Sequence, residues 1–252
     1  MADHKVVAHD DWIEARKQLL IKEKEYTRLG DELARHRRDL PWERVAKDYV
    51  FDGPAGKESL SQIFAGRSQL AVYHFMFGTD WDAGCPHCSF WADNFNGIDV
   101  HLAHRDVTFV AISHAPLAKL EAFKKRMGWN FKWLSAGENG FNYDYFVSFK
   151  PEEIVKGEIF HNYGVSKQVM QEHVGASAFC KNAKGEVFHT YSCYARGVDA
   201  LNGAYHWLDR MPKGRDEEGL AFTQAWVRHH DRYQSAYAVD PAAGYEPPGK
   251  KA

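Results

Sequence analysis

The sequence predicts an α/β protein, a central mixed β-sheet flanked by helices with an extra long helix at the N-terminus. Three observations lead there. The apolar runs "LAVYHFMFG" and "VTFVAIS" are each followed by a helix-like segment, the pattern of parallel strands joined by right-handed crossovers. The stretch "ASAFCKNAKGEVFHTYS" holds two β-rich runs around Lys184-Gly185, a hairpin that adds antiparallel strands. A proline-free stretch from Asp10 to Arg38 places apolar or small residues near a 3.5-residue repeat, which predicts the long helix.

That helix carries Trp12, Ala15, Leu19, Tyr26, Leu29 and Leu33 on its stripe, interrupted by Lys22. Asp11 with Glu14 fits a capping box, and Glu14/Lys17, Glu25/Arg28 and Asp31/Arg35 lie at helical pairing distances. Eight basic and eight acidic residues fall within 9–40, so its charges cancel, unlike a nucleic-acid arm. The stripe suits either a homodimer or docking arm, or a helix packed on its own domain. Pro41 ends it.

Further along, "DYVFDGPAGKESLSQIF" has the Asp-Gly, Pro and Gly punctuation of a strand and turn. Residues 68–78 read as a strand covered on both faces, and the segment "PHCSFWADNFNGIDVHLA" as one helix. Residues 106–113 form a second buried strand. "APLAKLEAFKKRMG" follows as a helix closed by Gly128, with Leu117, Leu120, Phe123 and Met127 on one side. "DALNGAYHWLDRM" is the last predicted helix, and 129–175 shows no clear pattern. The expected domains are a helical extension over 1–40, the α/β domain over 41–239 and a disordered tail over 240–252.

The totals exclude several classes of function. A net charge of -2 gives no bulk basic field for nucleic acid or an anionic membrane. The longest apolar stretch is too short for a bilayer span, and the N-terminus lacks the pattern of a secretion signal, so a cytoplasmic location is expected. A chain of 252 residues builds a core without covalent staples. The four cysteines, Cys85, Cys88, Cys180 and Cys193, are too few for a disulfide scaffold, and a close pair in a reducing compartment points to redox or metal chemistry.

The close pair is in "GTDWDAGCPHCSFWADNF", at a strand-to-helix turn. With the order of elements, it resembles the thioredoxin fold. The chain further resembles the DUF899 family of bacterial thioredoxin-like proteins. The likeness runs through "RKQLLIKEKEYTRLGDELARHRRDLPWERVAKDYVFDGPAGK", "YHFMFGTDWDAGCPHCSFWADNFNGIDVHLAHRDVTFVAISHAPLAKLEAFKKRMGW", "GEVFHTYSCYARGVDALNGAYHWLD" and "WVRHHDRY". The resemblance implies a thioredoxin-like fold and thiol chemistry on a protein or low-molecular-weight thiol or disulfide, with no cofactor.

Pro86-His87 is similar to the dipeptide of DsbA-type oxidising enzymes, and the segment "VTFVAISHAPLAKLEAFKKRMG" looks like peroxiredoxins. The peroxiredoxin motif would place Pro at Gly78 and Thr or Ser at Asp82, and neither is present. Thioredoxins hold substrate beside a cis-proline at the strand entering the hairpin. Here Val174, Gly175 and Ala176 stand there, which makes Gly175 and Ala176 the matching substrate-binding positions.

The residue types suit thiol exchange. The thiolate is the attacking species, and a sulfur at the start of a helix faces unpaired N–H groups. Pro86 fits the first helical turn, and a protonated or donating His87 favours a Cys85 thiolate. Cys88, one turn on, is placed to resolve the mixed disulfide. Asp80 and Asp82 oppose ionisation if they approach the sulfur. Trp81, Phe90 and Trp91 are groove residues or core, and Cys180 and Cys193 fit two small apolar side chains.

Two alternatives stay open. One is a metal or ligand module using the pair with His74, His87, His101, His104 or the remote His229-His230. The other is a peroxiredoxin-like thiol peroxidase with Cys85 as the oxidised residue.

Overall fold

The computed structural model describes residues 4–233. The expected tail, 240–252, lies outside the described residues. The chain divides into two compact units, the first ending at Trp42 and the second beginning at Glu43.

The first unit is the helix α1 (His9–Arg38), in which no residue is buried. The predicted capping box does not form. The helix starts three residues before that box requires, with Ala8 in place of Asp11 as N-cap and no side-chain cap, so Asp10 and Asp11 sit in the first turn, where carboxylates meet the positive end of the helix dipole. Lys17 pairs with Glu14 at 2.6 Å as its spacing predicts, whereas Glu25 is taken by Lys22 at 3.2 Å instead of Arg28.

The second unit opens with β1 (Glu43–Arg44), the hairpin β2 (Val50–Gly53) and β3 (Gly56–Ser59), and β4 (Gln69–His74). Helices α2 (Pro86–Ala92) and α3 (Ile98–Ala103) lead to β5 (Val107–Ser113), α4 (Leu117–Arg126) and β6 (Lys132–Ser135). The unpatterned stretch holds β6, the short helices α5 (Phe141–Asp144) and α6 (Pro151–Val155), and a separate ribbon of β7 (Ile159–His161) and β8 (Gly164–Ser166). The hairpin β9 (Gly175–Lys181) and β10 (Val187–Tyr194) follows, then α7 (Gly203–Leu208).

Eight strands form one sheet in the order β1-β10-β9-β4-β5-β6-β2-β3. β4, β5 and β6 are parallel, with Val72 opposite Val110 and Ala111 opposite Trp133. β9 runs antiparallel to β4, and β10 antiparallel to β9. The inner four strands, with crossover helices between β4 and β5, make the fold thioredoxin-like, as predicted.

One predicted helix is two. Gly97 takes φ +85°, a left-handed conformation that stops a helix and that glycine enters without a Cβ clash, so α2 and α3 are separate.

Side chains of a strand alternate between faces. Tyr73, Phe109 and Ala111 therefore join α2, α4 and α7 in one core, while Leu70, Val72, Val110 and Ile112 join Phe51, Ile63, Phe64 and Phe141 in the other. Both faces of β4 and β5 are covered, which is why neither strand alternates in polarity. Each fully buried aromatic or aliphatic side chain contributes about 1.5–3 kcal/mol.

Candidate functional site

The site is built where β4 ends. The chain leaves the sheet after His74, and Met76 sets the next turn: its carbonyl accepts the Cys85 amide at 3.0 Å and its amide donates to the Cys88 Sγ at 3.4 Å. Cys85 is the N-cap of α2 and Pro86 its first residue, where a missing N–H leaves no donor unpaired. The Cys85 carbonyl accepts from both the amide and the hydroxyl of Ser89 at 2.9 Å, fixing the first turn. Both cysteines are free thiols and 2% exposed.

Cys85 is held well below the usual thiol range. The Cys88 side chain donating to its sulfur is the largest cause; burial opposes it, and the His87 side chain and the Cys88 amide support the anion. Cys88 moves the opposite way, pushed well up by burial and then by the charge and hydrogen bonding of Cys85. The Tyr73 side chain, in the same core, partly offsets that rise. His87 is desolvated, which lowers its pKa, yet contact with Cys85 and with the Gln224 carbonyl leaves it raised. With only seven residues in α2, the Cys85 anion is supported first by these neighbours.

The other candidates are distributed as follows. Trp91 lies in the same core and donates its Nε1–H to the Val198 carbonyl at 2.7 Å. Trp81 is buried beside it, and Lys119 binds the Trp81 carbonyl at 2.8 Å. Ala176, with Val174, packs on the core that holds the cysteines. Gly175 is turned to the other face: a Cβ there would stand 2.7 Å from the Tyr194 ring. Cys180 lies opposite Phe188 and Cys193 opposite Ala176, several rungs apart in the hairpin.

The metal alternative gathers no ligand set. His74 is on the opposite side of the sheet, bonded through Nε2 to Ser177 Oγ at 2.7 Å, and His101 and His104 are exposed on and beside α3. Among the described residues no group of three or more His, Cys, Asp or Glu is arranged to hold an ion. His229 reaches the site, but as a hydrogen-bond partner of the Gly84 carbonyl at 2.8 Å.

The chain matches over residues 1–233 the profile of a family described as "Bacterial protein of unknown function (DUF899)". The chain belongs to this family. No curated protein matches it. Among solved structures it is similar to the peroxidoxin BcpB of Mycobacterium tuberculosis, at 15% identity over 64% of this chain and 93% of that one, TM-score 0.43. It is also similar to peroxiredoxin Q of Xanthomonas campestris, at 14% identity over 66% and 96%, TM-score 0.45.

Sequence reasoning missed Tyr73, read as a buried strand residue, and the arm from Glu217 to Arg232 that lies over α2. The only signal for the arm was "WVRHHDRY", whose histidines suggested metal or surface. Among the described residues no helix is long and apolar enough to cross a membrane.

Proposed function

We propose that the protein is a thiol–disulfide oxidoreductase in which Cys85 is the nucleophile and Cys88 the resolving thiol. The observation that supports this is that Cys85 opens α2 as its N-cap while Cys88, one turn on, has its sulfur held by the Met76 amide, with Cys85 favoured as the anion and Cys88 as the thiol. The Cys85 thiolate attacks one sulfur of a protein or low-molecular-weight disulfide; a Cys85–substrate S–S bond forms and the other substrate sulfur leaves as a thiolate, which takes the proton His87 can donate. Cys88 then loses its proton and attacks Cys85. The second substrate thiol departs, the substrate has gained two electrons, and the pair is oxidised to a disulfide. A cellular dithiol or low-molecular-weight thiol resets it.

The test is intact-mass analysis after challenge with oxidised glutathione. Wild type should end about 2 Da lighter, the loss of two hydrogens to an internal disulfide. Cys88→Ser should retain one glutathione on Cys85, and Cys85→Ser should do neither. Turnover retained by Cys85→Ser would refute the assignment. Peroxide consumption far above that of free cysteine would favour the peroxidase reading instead.

Two further expectations belong here. A close, sparse cysteine pair suits a reducing compartment, so the activity is placed in the cytoplasm. Trp12, Leu19, Tyr26 and Leu33 recur every seven residues on α1 and are 45–75% exposed, so α1 is proposed to pair in parallel with α1 of a second copy, which sets Asp11 against the second copy's Arg16.

A further inference from the structure

Residues 217–232 lie across the cysteine pair. Phe222 meets the His87 ring edge-on, centroids 6.0 Å apart, and Trp226 meets Phe90 at 5.3 Å. Val227 is fully buried. The far end is fastened by Arg126 of α4, which makes two 2.8 Å bonds to Asp231 and one of 3.2 Å to His229.

The near end is organised by one carboxylate oxygen. Glu217 Oε1 accepts from the Tyr205 hydroxyl at 2.8 Å, the Trp226 Nε1–H at 2.8 Å and the Gln224 amide at 3.0 Å. Gln224 has φ +69°, a left-handed conformation that a side chain with a Cβ keeps only when its surroundings fix it. Held that way, its carbonyl accepts from the Val227 amide at 2.9 Å, and Phe222, two residues before it, keeps its ring against the His87 imidazole. His87 in turn reaches the Cys85 sulfur. The arm fixed by Glu217 and Gln224 therefore packs through Phe222 on His87, two residues from the nucleophile in sequence, between elements more than 120 residues apart.

We propose that Glu217 and Gln224 are positioning residues of the cysteine site: through them the C-terminal arm sets the orientation of His87 and thereby the ease with which Cys85 becomes a thiolate. This rests on the exchange chemistry proposed above, but it concerns the ionisation of one sulfur and is measured without turnover. The titratable and charged groups facing the pair are Tyr73 from β4, His87 and Cys88 from α2, and Arg228 and His229 from the arm. Of these, His87 is the one that Phe222 of the arm packs against.

The experiment is mass-resolved alkylation of Cys85 in the full chain with iodoacetamide across pH. Access to the sulfur changes the plateau rate, whereas ionisation changes the midpoint, and the midpoint is the readout. Glu217→Ala should raise it by about one pH unit, a roughly tenfold slower reaction below both midpoints. Glu217→Gln, which keeps an oxygen acceptor for the three donors, should stay near wild type. Gln224→Pro, which forbids φ +69° and removes the amide, should match Glu217→Ala while leaving the sheet untouched.

In a His87→Ala background, Glu217→Ala should add no further shift. An unmoved midpoint in both Glu217→Ala and Gln224→Pro, or an equal shift with His87 absent, would overturn the proposal. The exchange reading fails separately, if Cys88→Ser accumulates no mixed disulfide while these midpoints still move.

Discussion

Tyr73 of β4 and Cys88 of α2 are buried in one core, and the Cys88 sulfur is held there by the Met76 amide at 3.4 Å. The tyrosine is 1% exposed and its own ionisation is pushed well above the usual range, chiefly by burial. It therefore stays a neutral phenol throughout the working pH range, and its side chain favours the thiolate of Cys88, the form the proposed second step needs. Tyr73→Phe should leave the first attack by Cys85 unchanged and lengthen the life of the mixed disulfide several-fold. Single-turnover mass analysis with oxidised glutathione separates the two rates; an equal slowing of both would contradict this role.

Gly84 precedes the nucleophile and is packed too closely for a side chain. A Cβ there would stand 2.6 Å from Phe75 Cε1 and 2.9 Å from Phe123 Cε1, rings that are themselves buried and pressed on Trp133. Gly84→Ala should cost about 1–3 kcal/mol, the usual range for overpacking. Urea denaturation would show this as a lower midpoint at unchanged slope.

His74 is buried and neutral, its pKa lowered to about 3 by desolvation and then by His189, and His173 is lowered to about 4 by burial and by His161. In the unfolded chain such groups titrate near 6.5. The unfolded state therefore binds more protons below that pH. The stability these histidines confer is present in full above about pH 6.5 and is lost as pH falls towards 3–4, by up to about 1.4 kcal/mol per pH unit for each. His74→Gln should flatten the fall in unfolding free energy between about pH 6 and pH 4, whatever it does to stability at pH 7. An unchanged slope would count against a neutral buried His74.

The exposed stripe of α1 gives a prediction on assembly. Leu19→Glu with Leu33→Glu should convert a dimer to a monomer in sedimentation, with the alkylation midpoint of Cys85 unaltered. A monomeric wild type would remove the dimer proposal.

The parts of the fold legible in the sequence are those whose signals are local. The two double-sided strands, the hairpin turn at Gly185 with φ +82° and the N-cap position of Cys85 each depend on a few adjacent residues. What could not be read is what closes over long separations or depends on alternating faces. Tyr73 and His74 are neighbours in "AVYHF", yet one faces the cysteines and the other Ser177, because a strand turns successive side chains apart. Gly97 lies inside a helical pattern and its left-handed φ is invisible until the chain folds around it. The arm could not be assigned to the site because its contacts with Gly84 and His87 close over more than 130 residues of chain.

The bond between His229 and the Gly84 carbonyl spans 145 residues of chain. During synthesis at ~5–20 residues per second, Cys85 leaves the ribosome roughly 7–30 s ahead of its covering segment. A nascent or prematurely terminated polypeptide therefore carries the thiol pair without the segment that the finished molecule folds against it.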